Sequence, residues 1–219
     1  MFIVIEGVDG SGKETQTGLL CRKISNARRI EFPNYNSNSS ALVKMYLAGE
    51  FGSKPGDVSA YAASVFFACD RYASWKSDWH SDLNNGKTVI ADRYVSSNLI
   101  HQMCKIDDPA ERDRFMTWLL DFEYNIMGIP KPDVTVFLDM PVESALELMK
   151  NRNNKITGNE QKDIHENDVA YLKKAYNSAV SVCEKSDWHR VRCVKDGKIR
   201  TPEEISDEVF SVVSQFMKG

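Results

Sequence analysis

The sequence lacks the cysteine pairs that a disulfide framework or a zinc site would need. Its five cysteines lie far apart, at positions 21, 69, 104, 183 and 193, and no two of them form a C-x-x-C pair. An odd and scattered set of cysteines is typical of a protein that stays in a reducing compartment. We therefore expect free thiols and a cytoplasmic location.

The sequence also lacks a long apolar run and an excess of charge of either sign. No apolar stretch approaches the ~20 residues of a membrane-spanning helix, and the short apolar start lacks the basic residues of a signal peptide. Lys and Arg total 28 against 31 for Asp and Glu, which gives a formal net charge of −3. We expect no membrane partner and no nucleic-acid partner.

The 219 residues instead show a regular alternation of strand and helix patterns, without an internal repeat. This pattern predicts an α/β fold, a doubly wound five-stranded parallel sheet with helices on both faces, in a single domain over 1–219. The predicted strands are 2–6, 29–32, 88–92, 133–139 and 188–194. The predicted helices are 17–25, 40–47, 58–80, 110–122, 141–150, 164–184 and 202–216. Ligands of such folds bind beyond the carboxyl ends of the strands.

The first predicted strand runs into a nucleotide phosphate loop with the pattern G-x-x-x-x-G-K. Its glycines let backbone N–H groups wrap an anion, the following helix adds its positive end, and Lys13 reaches the terminal phosphates. The residues predicted to cradle the phosphates are Gly7, Val8, Asp9, Gly10, Ser11, Gly12, Lys13, Glu14 and Thr15.

One residue of the loop breaks the pattern. The position after the lysine normally carries a Ser or Thr hydroxyl that binds Mg²⁺, but here it is Glu14, and Thr15 lies about 100° further round the helix. A glutamate beside the β and γ phosphates would be repulsive, so we expect Glu14 to turn away from them. Mg²⁺ would then be held by phosphate oxygens and water, with Asp9 or Asp92 in its outer shell.

A second set of residues suits an acceptor that carries both a base and a phosphate. Phe67 and Arg71 lie four residues apart on one face of a predicted helix, where a ring can stack a base and a guanidinium can bond its carbonyl edge. Arg71 is a charge among apolar residues and needs a partner. Arg93 follows the third strand and can pair a phosphate bidentately. Asp9 can accept a sugar hydroxyl.

With these motifs the chain resembles the thymidylate kinase family nearly end to end. The shared stretches are G-V-D-G-x-G-K, F-P after the second strand, F-F-A-x-D-R, D-R-Y-x-x-S-N and P-D-V-T-V-F-L-D-M-P, then a basic lid and a helix carrying Tyr176. The resemblance implies a P-loop NTPase-type fold with a mobile lid, and transfer of the γ-phosphoryl group of ATP to dTMP with Mg²⁺, giving dTDP and ADP in dTTP synthesis. It also implies a homodimer.

The resemblance assigns roles on the acceptor side. Phe67 would stack on thymine, Arg71 would hydrogen-bond its O4, and Asn98 would reach the base. Further substrate-binding candidates are Phe32, Tyr35, Ser97 and His101. His101 stands where a tyrosine is common in the family, and Tyr35 follows a position where many members have an arginine.

The resemblance also assigns the groups around the phosphates. Arg93 would hold the phosphate of dTMP, Asp9 would take the 3′-hydroxyl, and Asp92 would help position Arg93 and the metal. Lys13, Arg93 and Asp9 are therefore catalytic candidates.

A further catalytic cation is expected from the lid, at about 150–163. Some thymidylate kinases carry an arginine in the phosphate loop, but that position is Gly10 here. The lid residues with charge are Lys150, Arg152, Lys155, Glu160, Lys162 and Asp163. We take Arg152 as the catalytic residue among them.

Two other functions stay open at this point. A deoxynucleoside kinase acting on thymidine would share the phosphate loop and lid, and Glu31 could be its general base. A non-catalytic nucleotide-binding switch is favoured only by Glu14, which weakens the metal site. Arg71 and Arg93 together fit a charged acceptor better, and a switch has no use for a second nucleotide pocket.

Overall fold

The computed structural model describes residues 1–150 and 168–217, and its central element is a parallel sheet of five strands. The strands are β1 (Phe2–Glu6), β2 (Ala27–Glu31), β3 (Thr88–Asp92), β4 (Val134–Asp139) and β5 (His189–Arg192). Their order across the sheet is β2-β3-β1-β4-β5, and each neighbouring pair is parallel. The predicted doubly wound sheet is confirmed.

The central strand β1 shows why the sheet is buried on both faces. Ile3 and Ile5 belong to one apolar core, whereas Phe2 and Val4 belong to the core on the other face. Successive side chains of a strand point to opposite faces, so a continuous apolar run fits a parallel strand covered on both sides. Helices cover these faces and leave the carboxyl edge of the sheet to the loops.

The helices lie mostly between successive strands. They are α1 (Lys13–Lys23), α2 (Ala41–Leu47), α3 (Ala60–Ser74), α4 (His80–Asn84), α5 (Ser96–His101), α6 (Pro109–Leu120), α7 (Val142–Met149), α8 (Val169–Lys185) and α9 (Pro202–Ser214). π-helical turns at Trp75–Trp79 and Asp121–Ile126 continue α3 and α6. Helix α9 begins with a capping box, in which the Thr201 hydroxyl accepts from the Glu204 N–H and the Glu204 carboxylate accepts from the Thr201 N–H.

Three of the differences from the sequence prediction have a local structural cause. Helix α1 begins at Lys13 rather than at residue 17, because the left-handed Gly12 ends the phosphate loop and the helix starts directly after it. The predicted helix 58–80 is divided by the π-helical turn, which buries both Trp75 and Trp79 against each other. The last predicted strand ends at Arg192, and Val194–Lys195 pairs instead with Lys198–Ile199 in a small antiparallel hairpin, β6 and β7.

None of the helices in residues 1–150 and 168–217 has the length and apolar composition of a membrane span. The lid predicted at about 150–163 lies outside the described residues from position 151 onward, and so does the start of the helix predicted at 164–184.

Candidate active site

The phosphate loop joins β1 to α1 and packs closely against α7. Gly10 adopts a left-handed backbone with φ +78°, and a Cβ atom there would lie 2.6 Å from the carbonyl oxygen of Ala145. An L-residue at this position would be strained by its backbone and would also clash with α7. Replacing Gly10 by an arginine would therefore require α7 to move, so in this fold the loop is not suited to supply that cation.

Lys13 folds its side chain back over the loop. Its ammonium group donates to the carbonyl oxygens of Gly7 at 2.9 Å and Val8 at 2.8 Å, and it is almost fully buried. Burial lowers the pKa of Lys13 to about 8, and the positive charge of Arg93 adds to this effect. The ammonium group thus lies under the loop, where a bound anion would raise its pKa and keep it protonated.

The residues around the start of α1 differ in burial. Ser11 is buried, while Glu14 and Thr15 are exposed. The side chain of Glu14 therefore lies at the surface. The N–H groups of the first helical turn lie next to the loop, where they favour negative charge.

A cleft of about 490 Å³, partly open to solvent, lies beside the phosphate loop. The structure brings together at this cleft all nine residues that the sequence predicted to bind the substrate. They are Asp9, Phe32, Tyr35, Phe67, Arg71, Arg93, Ser97, Asn98 and His101. Pro33, Leu47, Tyr94 and Gln102 complete the lining. Residues from five separate segments of the chain thus converge on one cavity at the carboxyl edge of the sheet.

Arg93 lies between the cleft and the phosphate loop. Its guanidinium forms an ion pair with Asp9 and lies 3.1 Å from Nε2 of His101 and 3.5 Å from the Gly7 carbonyl oxygen. Burial opposes the charge of Arg93, but the carboxylates of Asp9, Asp92 and Glu6 outweigh it and raise the pKa of Arg93. Arg93 is therefore a permanent cation, held from two sides, at the rim where an acceptor phosphate would meet the donor.

Arg71 is held by a carboxylate that sequence reasoning did not identify. Glu123 accepts from Nε and from Nη2 of Arg71 at 2.6 Å each, and both side chains are almost fully buried. Nη1 of Arg71 donates to the carbonyl oxygen of Tyr94 at 3.4 Å. The signal that could have found Glu123 was the predicted need of Arg71 for a partner, since a lone buried charge is very unfavourable.

Glu6 is the second functional carboxylate that the sequence did not reveal. It is fully buried at the end of β1, and it accepts from the backbone N–H of Tyr94 and from the hydroxyls of Ser96 and Ser97. These contacts hold the turn after β3, whose residue Arg93 has a left-handed backbone with φ 71°. Glu6 thus fixes the segment that carries Arg93 into the cleft.

Aromatic side chains form part of the wall of the cleft. Phe67 is half-buried on α3, with its ring packed edge-on against Tyr46 at 6.2 Å. Phe32 and Tyr35 flank the turn after β2, which is tied to α3 because Asp70 accepts from the backbone N–H of Asn34. The cleft thus combines aromatic rings with the buried Arg71.

The comparisons with known proteins agree with this geometry. A family profile described as thymidylate kinase matches residues 5–195. The thymidylate kinase of Mycobacterium tuberculosis is 33% identical over 179 residues, which cover 77% of this chain and 79% of that protein. The chain belongs to the thymidylate kinase family.

Solved structures of similar fold include other thymidylate kinases. The chain superposes on the thymidylate kinase of Candida albicans with a TM-score of 0.75 and 24% identity, covering 98% of this chain and 91% of that one. The thymidylate kinase of Ehrlichia chaffeensis gives a TM-score of 0.67 at 19% identity, covering 97% and 98% of the two chains. These likenesses support the P-loop NTPase-type fold of the family.

Asp92 has a partner that the sequence did not indicate. Its carboxylate bonds to Arg29 of β2 at 3.2 Å, and its charge helps to raise the pKa of Arg93. The Arg29 guanidinium also reaches the Thr17 hydroxyl and Glu31. Through Arg29, Asp92 therefore links the edge of the sheet to α1.

Tyr176, which the family resemblance included, is absent from the described lining of the cleft. The Tyr176 hydroxyl donates to Asp139 at 2.8 Å, and Asp139 also pairs with Arg190 at 3.0 Å, which is a contact between α8, β4 and β5. Arg152 and the rest of the lid beyond Lys150 lie outside the described residues.

Proposed function

We propose that this protein transfers the γ-phosphoryl group of ATP to dTMP, giving dTDP and ADP, as a step of dTTP synthesis. The observation that carries the proposal is the single cleft that gathers an aromatic wall, the buried Arg71 with Asn98, and Arg93 beside a nucleotide phosphate loop. A base, a sugar and an acceptor phosphate each meet a matching group there. Membership of the thymidylate kinase family supports the same chemistry.

The acceptor roles follow from the chemistry of the lining. We assign base stacking to Phe67 and hydrogen bonding of the base to Arg71 and Asn98. Arg93 would bind the acceptor phosphate, because its planar guanidinium matches two phosphate oxygens. Asp9 would accept the 3′-hydroxyl of the sugar from the rim of the cleft.

The reaction needs positioning and charge neutralisation rather than a covalent intermediate. An oxygen of the dTMP phosphate attacks the γ-phosphorus of ATP, and the bond between that phosphorus and the β-phosphate oxygen breaks as ADP leaves. Two anions must approach for this to happen. Lys13 and the N-terminal turn of α1 would stabilise the donor, while Arg93 would neutralise the acceptor.

The residues around the loop suit a magnesium ion that is held mainly by phosphate and water. Among the described residues there is no group of three potential metal-ligating side chains, and Asp9 and Asp92 already accept hydrogen bonds from Arg93 and Arg29. Such carboxylates fit an outer shell, because Mg²⁺ sheds its water reluctantly. Bound Mg²⁺ would neutralise charge on the β and γ phosphates.

We further propose that Arg152 supplies a catalytic cation from the lid. The close packing of Gly10 against α7 supports this assignment, because it leaves no room for an arginine in the loop. We also propose a cytoplasmic homodimer. Five free cysteines suit a reducing compartment, and the exposed Phe51 packs on Phe66 of α3 to form an apolar surface that a second subunit could cover.

The two rival functions are less well supported by the site. The general base of a thymidine kinase would have to lie in the acceptor cleft, but Glu31 pairs with Arg29 and is absent from the described lining. A nucleotide switch would not need an acceptor pocket of nine converging residues. Neither rival explains a permanent cation at the rim of the cleft.

A comparison of acceptors tests the proposal. ADP release would be measured with ATP and Mg²⁺ against dTMP, thymidine, dUMP and dGMP. We expect dTMP to be the preferred acceptor and thymidine to be inactive, because it has no phosphate for Arg93. The Lys13→Ala variant is the matched control for contaminating activity. Turnover with thymidine and not with dTMP would replace the proposal with the first rival, and ATP binding without any turnover would replace it with the second.

A further inference from the structure

Glu123 lies behind the cleft and contacts both polar side chains assigned to the base. It is fully buried in the π-helical turn after α6. Its two carboxylate oxygens each accept a hydrogen bond from Arg71 at 2.6 Å, and Oε1 also accepts from Nδ2 of Asn98 at 3.4 Å. In the described part of the chain Arg71 and Asn98 line the cleft, whereas Glu123 does not.

The number of N–H donors of Arg71 shows which of them are left for a ligand once Glu123 is bound. A guanidinium has five N–H donors in a rigid plane. Glu123 accepts from the Nε–H group and from one N–H of Nη2, and the carbonyl oxygen of Tyr94 accepts from one N–H of Nη1. One N–H on Nη1 and one on Nη2 are left. The directions of these two N–H groups are fixed, because the two bonds to Glu123 fix the plane of the guanidinium. Arg71 can therefore present only donors to a ligand in the cleft.

The same carboxylate orients Asn98, which presents an acceptor to the cleft where Arg71 presents donors. An ionised carboxylate only accepts hydrogen bonds, so the amide must turn Nδ2 toward Glu123. Nδ2 also lies 3.4 Å from the Ser64 carbonyl oxygen, another pure acceptor. With its donor group directed at two acceptors, Asn98 keeps Oδ1 as its acceptor for the cleft.

We propose that Glu123 is a positioning residue that sets the hydrogen-bond polarity of the base pocket, a donor at Arg71 next to an acceptor at Asn98. This polarity matches a pyrimidine that carries a carbonyl beside a ring N–H, as thymine and uracil do. It opposes a pyrimidine that carries an amino group beside a bare ring nitrogen, as cytosine does. The inference rests on the proposed function, since it concerns the acceptor of that reaction.

The ion pair between Arg71 and Glu123 also contributes to the selection between bases. Arg71 and Glu123 neutralise each other in the interior, where an unpaired charge would be very unfavourable. The pocket therefore offers directed donors without a net charge from the pair, and the penalty for a wrong base comes from buried groups left unpaired. Arg93, which lies at the rim, keeps the role of recognising the phosphate.

Glu123→Gln tests the inference because glutamine has the same shape but offers an N–H on one side. Its single amide oxygen cannot accept from both Nε and Nη2 of Arg71. With its N–H₂ at the position of Oε1 it would face Nδ2 of Asn98, so Asn98 could turn and present Nδ2 to the cleft. We expect the ratio of kcat/KM for dTMP over dCMP to fall at least tenfold, mainly through a higher KM for dTMP. KM for ATP should stay within twofold. Glu123→Asp, which keeps two pure acceptors, should recover part of the ratio.

A second variant covers a failure of Glu123→Gln to fold. The double variant Arg71→Met, Glu123→Met removes both charges together, which a buried site tolerates far better than removal of one. We expect it to fold, to keep its affinity for ATP, and to lose the preference for dTMP over dCMP. Folding would be followed by circular dichroism and thermal unfolding of each variant.

Two results would overturn the inference. One is a folded Glu123→Gln variant whose ratio of dTMP over dCMP stays within twofold of wild type. The other is a rise of KM for ATP in proportion to KM for dTMP, which would indicate general loss of structure. Calorimetric binding of dTMP and dCMP to the wild type and to Glu123→Gln separates this inference from the proposed function. A wild type that binds dTMP selectively but does not phosphorylate it would contradict the function alone.

Discussion

Nε2 of His101 lies 3.1 Å from Nη1 of Arg93, so a buried imidazole accepts a hydrogen bond from the cation assigned to the acceptor phosphate. Burial lowers the pKa of His101 to about 3; the Asp9 carboxylate opposes this effect and the charge of Arg93 adds to it. The ring is therefore neutral at physiological pH, and a proton on Nδ1 leaves Nε2 free to accept. The cleft thus contains one fixed cation at this point rather than two.

The buried neutral state of His101 should make the fold less stable in acid. Above about pH 6.5 the ring is neutral in the folded and unfolded chains, while below that value only the unfolded chain takes up the proton. Stability is then lost as the pH falls toward the folded pKa of about 3. We expect the unfolding free energy of wild type to fall by up to ~1.4 kcal/mol per pH unit more steeply than that of His101→Asn. Urea unfolding at pH 7, 6, 5 and 4.5 measures the two slopes.

An NMR titration of the imidazole rings provides an independent check on that prediction. The chain has four histidines, so one ring signal should stay neutral down to pH 4 and should be missing from the His101→Asn spectrum. Protonation of the His101 ring near pH 6.5 would contradict the prediction, as would equal slopes of the two unfolding curves.

The elements that the sequence predicted most accurately are the buried strands. β1 at Phe2–Glu6 and β3 at Thr88–Asp92 have the predicted bounds, because short apolar runs buried on both faces end where the polar loop residues begin. Helix ends were less accurate. The sequence motif assigns Lys13 to the phosphate loop, but the same residue is also the first residue of α1.

The sequence predicted those residues of the site that belong to short local motifs. Arg71 and Arg93 belong to short patterns whose chemistry can be read along the chain. Glu123 is 52 residues away from Arg71 and lies in a segment that matches no motif, so only the three-dimensional fold pairs them. Glu6 closes an apolar strand, where a buried carboxylate could have been suspected, but its partners follow a different strand.

Lys13 gives a prediction on the pH dependence of nucleotide binding. Its pKa is lowered to about 8 by burial and by Arg93, so the free protein loses this charge as the pH rises above 8. Since the phosphates attract the protonated amine, we expect the affinity for ATP to fall between pH 7 and 9.5. Calorimetry on wild type and on Lys13→Arg, whose guanidinium stays charged, measures the difference. Lys13→Ala should fold and should lose about 100-fold or more in kcat.

Lys105 is the matched control for the titration of Lys13. Burial also lowers the pKa of Lys105 to about 8, but its ammonium donates to Tyr46 and to the Val58 carbonyl oxygen. The variant Lys105→Met should keep the fall in ATP affinity, and Lys13→Arg should remove it. The reverse outcome would assign the titration to Lys105. An active Lys13→Ala variant, with turnover within a few-fold of wild type, would refute the role of the loop.

Arg152 should affect turnover more than substrate affinity. A cation that reaches the phosphates only when a lid closes stabilises the transition state more than the bound substrate. We expect Arg152→Ala to lower kcat by about 10- to 100-fold with a smaller rise in KM for dTMP. Steady-state kinetics of Arg152→Ala beside Lys150→Ala would show which of these two residues carries the effect. Unchanged kcat in Arg152→Ala would move the role to Lys150, Lys155 or Lys162, or remove it.

Glu14 stands where the phosphate-loop pattern normally has a hydroxyl, and its side chain is exposed. We expect Glu14→Ala to keep turnover within a few-fold of wild type, because Mg²⁺ would be held by phosphate oxygens and water. Glu14→Ser should lower the Mg²⁺ concentration needed for half-maximal rate, since it restores a hydroxyl at the usual position. The Mg²⁺ dependence of kcat measures both, and the exposed neighbour variant Thr15→Ala is the control.

The contrary result for Glu14 has a specific form. A glutamate that coordinates the metal would make Glu14→Ala inactive at ordinary Mg²⁺ concentrations, and excess Mg²⁺ would restore turnover. That pattern would mean that ATP binding turns the side chain of Glu14 from the surface toward the phosphates, despite the repulsion between their charges. It would place a carboxylate of α1 in the inner shell and leave Asp9 to the sugar and to Arg93. Equal activity of wild type and Glu14→Ala at every Mg²⁺ concentration would instead leave the metal with phosphate and water.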